Sequence, residues 1–214
     1  MRGLGCRRLL EVIGQDVLWS AVWVALSAAP LMAQSSGRWS LSVGLEGLRY
    51  DATARDTTAE PASAVDLRPS GRIGVRAGLH RNLGAWGVGL ALGWAQGSVE
   101  AANEAVAIRD RTADLSRYRT GLVVERRLAR VGAGIVALEV TPALDLWALD
   151  GETRMRTGIE AGLTLRVPLS GLALEHRLIA GLSVSPVEAE DLGGEFELRT
   201  LRVVGFGVGV RAPL

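Results

Sequence analysis

The sequence has no lysine, one cysteine and two histidines in 214 residues, and aromatic side chains make up only 5% of it. Each shortage removes a class of chemistry. Cys6 stands alone, in a stretch expected to be cleaved away, so no disulfide, thiol nucleophile or thiolate metal site is expected in the remainder. His80 and His176 fall on different strands and offer no ligand spacing, so neither a metal nor a cofactor is expected. All the cations are arginines. Removing Arg2, Arg7, Arg8, Glu11 and Asp16 from 24 cations and 23 carboxylates leaves 21 of each, and this neutral balance argues against nucleic acid as a partner. Beyond residue 33 no apolar run approaches the roughly 20 residues of a spanning helix, so membrane residence would have to be built from strands.

Residues 1–33 have the make-up of a secretory signal peptide. Arg2, Arg7 and Arg8 precede the mostly apolar Val17–Leu31, and Leu31-Met32-Ala33 before Gln34 suits cleavage. The expected division is a signal at 1–33, a short lead at 34–37 and one domain over 38–214.

That domain is rich in glycine and in alternation. In Trp86-Gly-Val-Gly-Leu-Ala-Leu-Gly-Trp94, strand geometry puts Trp86, Val88, Leu90, Leu92 and Trp94 on one face and Gly87, Gly89, Ala91 and Gly93 on the other. Eight residues separate the tryptophans, about 26 Å along an untilted strand and about 18–21 Å at a tilt of about 35–45°. Indole rings closing both ends of an outward apolar run are what a membrane-crossing strand needs at its two headgroup levels.

Seven further strands follow the same rule. The first begins at Trp39 and closes near Tyr50, with Leu41, Val43 and Leu45 on its apolar face, and Asp51 to Asp66 reads as a long loop. The second runs from Arg68 to His80, turning at Asn82-Leu83-Gly84 into the central stretch. Gln96 to Arg111 reads as another long loop. A fourth strand covers Arg117 to Glu125, with reversal expected over Arg126 to Arg130. The fifth runs from Val136 to Leu146, where Pro142 predicts a bulge or local break, and Asp150-Gly151-Glu152 closes it. A sixth (Arg154 to Val167) turns at Ser170-Gly171 into the seventh (Leu174 to Val184). After a loop from Pro186 to Glu195, the eighth spans Phe196 to Arg211. Long connections therefore alternate with short ones, as in a barrel with tight periplasmic turns and free extracellular loops.

Cost assigns the faces. A charge at the bilayer midplane costs about 2–4 kcal/mol for arginine, so the face bearing Arg72, Arg76, Arg119, Glu125, Glu139, Glu160, Arg166, Glu175, Arg177 and Arg199 has to line the lumen. Eight strands enclose a space just wide enough for side chains, which predicts an Arg–carboxylate network with glycines leaving room for it. Trp39, Trp86 and Trp94 are the expected lipid-interface aromatics.

This all-β pattern of a closed, antiparallel, up-and-down transmembrane barrel resembles the small eight-stranded outer-membrane proteins of the OmpA/OmpX type, over residues 38–214. The resemblance implies a Gram-negative-type envelope, residence in the outer membrane among lipid and lipopolysaccharide, and insertion by the barrel-assembly machinery. The chain departs from the family's usual aromatic last residue by ending at Leu214, with Phe206 the nearest aromatic. It implies a structural or surface-interaction role through the extracellular loops, with a loop-bound partner left open.

Three other functions stand beside that one. A narrow low-conductance channel needs a wet path past the charges. A lipid-modifying enzyme needs a nucleophile and base together, and His80 and His176 sit beside predicted periplasmic turns with no serine partner expected, so no enzyme is expected. A soluble lipocalin-like barrel requires the reverse arrangement, apolar inside and charged outside. Glu100, Glu104, Asp110 and Asp114 are candidates for a surface divalent cation or, more simply, for solvating a loop. Gly205-x-Gly207-x-Gly209 is strand spacing and not a phosphate loop, because no helix follows.

Overall fold

The computed structural model describes residues 39–51, 54–56, 65–70, 73–102, 107–149, 152–186, 196–198 and 200–214, with the backbone alone described for 107–114 and 196–198. The expected signal peptide and lead, Arg72, Arg199 and Glu104 lie outside the described residues.

Eleven strands occur among them: β1 Trp39–Tyr50, β2 Ala54–Asp56, β3 Asp66–Pro69, β4 Ile73–Leu83, β5 Trp86–Ala102, β6 Ala107–Val131, β7 Gly134–Leu149, β8 Glu152–Leu169, β9 Leu172–Ser183, β10 Phe196–Leu198 and β11 Leu201–Pro213. Eight of these close a ring. Every neighbour from β1 through β4, β5, β6, β7, β8 and β9 to β11 is antiparallel, and β11 returns to β1 along the register Ser40↔Pro213 to Tyr50↔Val203. Closure leaves the ring no unpaired edge, which a backbone in hydrocarbon requires.

The three tight turns each use a glycine with positive φ: Gly84 (73°), Gly132 (58°) and Gly171 (79°). The second of these corrects an expectation. Residues 126–130 do not reverse the chain but stay in β6, because the left-handed backbone that a two-residue turn demands is open to Gly132 at little cost and not to the arginines before it.

Other boundaries shift too. Gln96 to Arg111 is not a free loop: β5 and β6 continue past the ring as a hairpin, pairing Val99↔Asp110 through Ala102↔Ala107. Asp51 to Asp66 likewise contains β2 and the start of β3, which pairs with β5 while β10 pairs with β2. The second predicted strand is divided between β3 and β4, and the eighth between β10 and β11. Beyond the membrane both faces of a strand meet water, so backbone pairing persists without the alternation that reveals it.

Pro142 neither bulges nor breaks β7. The β6 partners step from Gly121↔Ala143 to Val124↔Val140 in one register, while Pro142 itself pairs with Ile159 of β8. One strand neighbour loses its rung and the other keeps the strand in line. The register shifts fall at Gly97/Val99 and Arg127/Ala129, towards strand ends.

The sheet is inside out relative to a soluble barrel. Leu90 is 51% exposed, Leu122 61% and Leu178 58%, whereas Glu160 is 3% and Asp145 0% exposed. An apolar exterior around a charged interior is what a lipid solvent selects and water does not.

A candidate lumenal charge network

Strand alternation delivers the charges inward, one strand after another. Glu46 comes from β1, Arg76 from β4, Arg117, Arg119 and Glu125 from β6, Glu139 and Asp145 from β7, Glu160 and Arg166 from β8, Glu175 and Arg177 from β9, and Arg211 from β11. Among the described residues, six arginines meet six carboxylates. Of the ring strands only β5 contributes no charge to this web among the described residues, and its Gly87 and Gly93 are the open ground: a Cβ there would lie 3.5 Å from the Cβ of Glu125 and of Arg119 respectively.

The contacts form one connected web. Arg166 grips Glu125 with both terminal nitrogens and donates from Nε to Glu175 at 2.6 Å. Arg211 lies 2.8 Å from the same Glu175 oxygen and 3.4 Å from Glu125. Arg177 reaches three acids, Glu46 at 2.9 Å, Glu160 at 2.7 Å and Glu139 at 3.1 Å, and Thr164 donates to Glu139 at 3.3 Å. Arg76 approaches Glu160, Glu139 and Glu46 at 3.3, 3.4 and 3.6 Å. Arg119 joins Glu160 to Asp145, which also takes a two-pronged donation from Arg117 at 2.8 and 3.0 Å and one from Ser183 at 2.9 Å. Planar guanidinium forks suit such sharing, since each can serve two or three carboxylates at once.

Above the charges, towards the long connections, the lumen turns apolar. Leu48, Tyr50, Ala95, Leu115, Trp147, Leu201 and Val203 pack together with Ile179 and Leu149. Arg117 joins the two layers: its guanidinium lies 5.8 Å from the Tyr50 ring and 5.2 Å from that of Trp147, while its nitrogens hold Asp145. Tyr50 and Trp147 meet edge to face at 5.9 Å.

Of the ten residues expected in the network, the structure brings together Arg76, Arg119, Glu125, Glu139, Glu160, Arg166, Glu175 and Arg177. Glu46, Arg117, Asp145 and Arg211 were not among those ten, although each shares its strand's polar phase. The apolar layer was missed altogether, because its members occupy the phase that carries charge elsewhere. Trp39 and Trp86 are exposed on the exterior, and Trp94 is half-buried there opposite Tyr118 of β6.

His80 corrects another expectation. It has a serine partner after all, Ser42 Oγ at 3.0 Å from Nε2, brought from β1 by the pairing Ser40↔His80 and Ser42↔Gly78. Both residues are buried in the wall, Ser42 also reaching the Gly78 carbonyl at 3.5 Å. His176 instead lies against Phe206 at 6.2 Å. Glu100 is held by Arg68 at 2.7 Å, and the side chains of Asp110 and Asp114 lie outside those described.

The glycines opposite the arginines set a sharp steric limit. A Cβ at Gly162 would sit 2.7 Å from Arg177 Nε, whereas one at Gly47, on the exterior, meets nothing nearer than the Phe206 carbonyl at 3.8 Å. Gly162→Ala is therefore expected to destabilise the barrel by about 1–3 kcal/mol. Gly47→Ala should leave the urea midpoint of vesicle-inserted protein within error of the parent.

The closed ring and the inverted interior together give the chain the fold of the small, eight-stranded outer-membrane β-barrels, the OmpA/OmpX type. Among solved structures, that of Neisserial surface protein A (NspA) is similar with a TM-score of 0.53 at 8% identity, covering 85% of this chain and 100% of that one. The outer membrane protein OprG from Pseudomonas aeruginosa is similar with a TM-score of 0.54 at 10% identity, covering 83% of this chain and 97% of that one. At such identities the likeness is one of fold. No protein-family model matches the sequence, and no curated protein sequence matches it either.

Proposed function

We propose that this chain is a closed outer-membrane barrel whose lumen is plugged by its own charges, acting as a structural or surface-interaction protein through the strands and loops that extend past the ring. The observation that carries this reading is the connection of the six described arginines and six described carboxylates across the interior. A water-filled pore would leave such groups hydrated and singly paired. Here each described lumenal charge in the web is paired with at least one of opposite sign, and the Tyr50–Trp147 layer lies over them. The β2, β3 and β10 segments, joined to the extensions of β5 and β6, add a platform outside the ring, which favours contact at the cell surface over transport.

An enzymatic role has less support. Ser42 and His80 stand at hydrogen-bond distance, but both are buried and neither faces the exterior apolar band where a lipid substrate would lie. Planar-bilayer recording tests the plug directly. Purified protein inserted into a bilayer should give no stable conductance steps, and sustained, reproducible steps from the unmodified chain would refute the closed lumen.

A further inference from the structure

Positive charge is unevenly spread around the rim that carries the tight turns. The hairpin β4–β5 places Arg81 there, and the hairpin β6–β7 places Arg126, Arg127 and Arg130. No carboxylate occurs in residues 81–86 or 126–134, and the third turn, residues 167–173, has no charge of either sign. Arg81, Arg126 and Arg130 are exposed.

Two of these arginines are mounted on the interfacial indoles. The Arg81 guanidinium lies 5.5 Å from the Trp39 ring and that of Arg126 lies 5.2 Å from the Trp86 ring, each pair formed across neighbouring strands by Trp39↔Arg81 and Trp86↔Arg126. The hairpins are also tied together: the Arg127 amide donates to the Ala85 carbonyl at 2.9 Å, and its side chain donates to Asn82 Oδ1 at 3.1 Å. Four outward positions, Trp39, Arg81, Trp86 and Arg126, are thus held side by side on β1, β4, β5 and β6. Indoles seek the headgroup level of a bilayer, and a guanidinium held over one places N–H donors at that level for an oxyanion.

We infer that this rim is a binding site for the phosphate of an anionic phospholipid headgroup, in the leaflet facing the tight turns. The inference rests on the barrel reading above and adds to it a lipid preference that a merely apolar exterior does not confer. Its chemistry is charge complementarity: several arginines on two hairpin ends, residues 81–86 and 126–134, that carry no acidic side chain, next to an acyl-facing surface.

The test is electron spin resonance on the full chain inserted into phosphatidylcholine vesicles, comparing the motionally restricted fraction of spin-labelled phosphatidylglycerol with that of spin-labelled phosphatidylcholine. The parent should favour phosphatidylglycerol by about fivefold at low salt, and the preference should fall towards unity in Arg81→Gln/Arg126→Gln. Arg202→Gln, which removes an exposed arginine at the opposite end of β11, should leave it unchanged. Inorganic phosphate should compete no better than chloride of equal ionic strength, since the site needs the lipid anchor. Equal association of both lipids with the parent, an unaltered preference in the double variant, or an equal loss in Arg202→Gln would overturn the proposal. Heat-modifiable gel migration of each sample separates the two readings: a chain that never inserts removes the barrel reading with this one, and an inserted chain indifferent to headgroup removes this one alone.

Discussion

Leu90→Arg is expected to abolish accumulation of the folded barrel in vesicles, while Ala91→Ser, one residue away, assembles like the parent. Leu90 lies midway between Trp86 and Trp94 on the exterior, flanked by its cross-strand partners Leu79 and Leu122. An arginine there has about ten ångströms or more of strand to climb to either headgroup level and costs about 2–4 kcal/mol in hydrocarbon. Ala91 is turned inward between Gly78 and Gly121, away from lipid, so a hydroxyl added there does not enter hydrocarbon. The measurement is the fraction of heat-modifiable protein after refolding. Equal yields from the two variants would contradict the assignment of faces on which the whole account stands.

The second large effect is expected at Asp145. Its carboxylate is fully buried and accepts from Arg117, Arg119 and Ser183, so it is the joint between the charge web and the aromatic layer above it. Asp145→Ala leaves two guanidinium groups facing each other without a counter-charge, and removing one partner of a buried pair costs about 3–5 kcal/mol. The urea midpoint of inserted protein should drop accordingly. Asp145→Ala combined with Arg117→Leu should recover part of the loss, because the stranded charge leaves with its partner. A double variant as unstable as the single one would mean that the fork between these residues contributes little.

Much of this molecule could be read from alternation alone, and its gaps have physical causes. Where a strand has lipid on one side and the lumen on the other, the two solvents write opposite preferences on alternate residues. The phase of β5 and of β8 was therefore legible from Trp86 to Trp94 and from Arg154 to Val167. Beyond the hydrocarbon that contrast disappears, which is why residues 96–102 and 107–111 looked like loop although their backbones pair. Pro142 misled for a different reason. A missing donor says that one rung is lost, but not whether the other neighbour will keep the strand straight, and Ile159 does. The apolar layer was hidden because Leu48, Leu115 and Trp147 share a phase with Glu46, Arg119 and Asp145: parity reports only inside or outside, never height. Nor could spacing show that Ser42 and His80 are neighbours, since that follows from the register between β1 and β4.

Arg117, Asp145, Glu160 and Arg177 are paired at positions that are almost wholly buried. Small ions weaken electrostatic attraction only where they and their water can enter, and the closed lumen proposed above would keep both away from its buried pairs. The attraction among these side chains would then be insulated from the medium outside. A cell carrying it could pass from dilute water to brine with the inner braces undisturbed, while the arginines on the rim would feel every change.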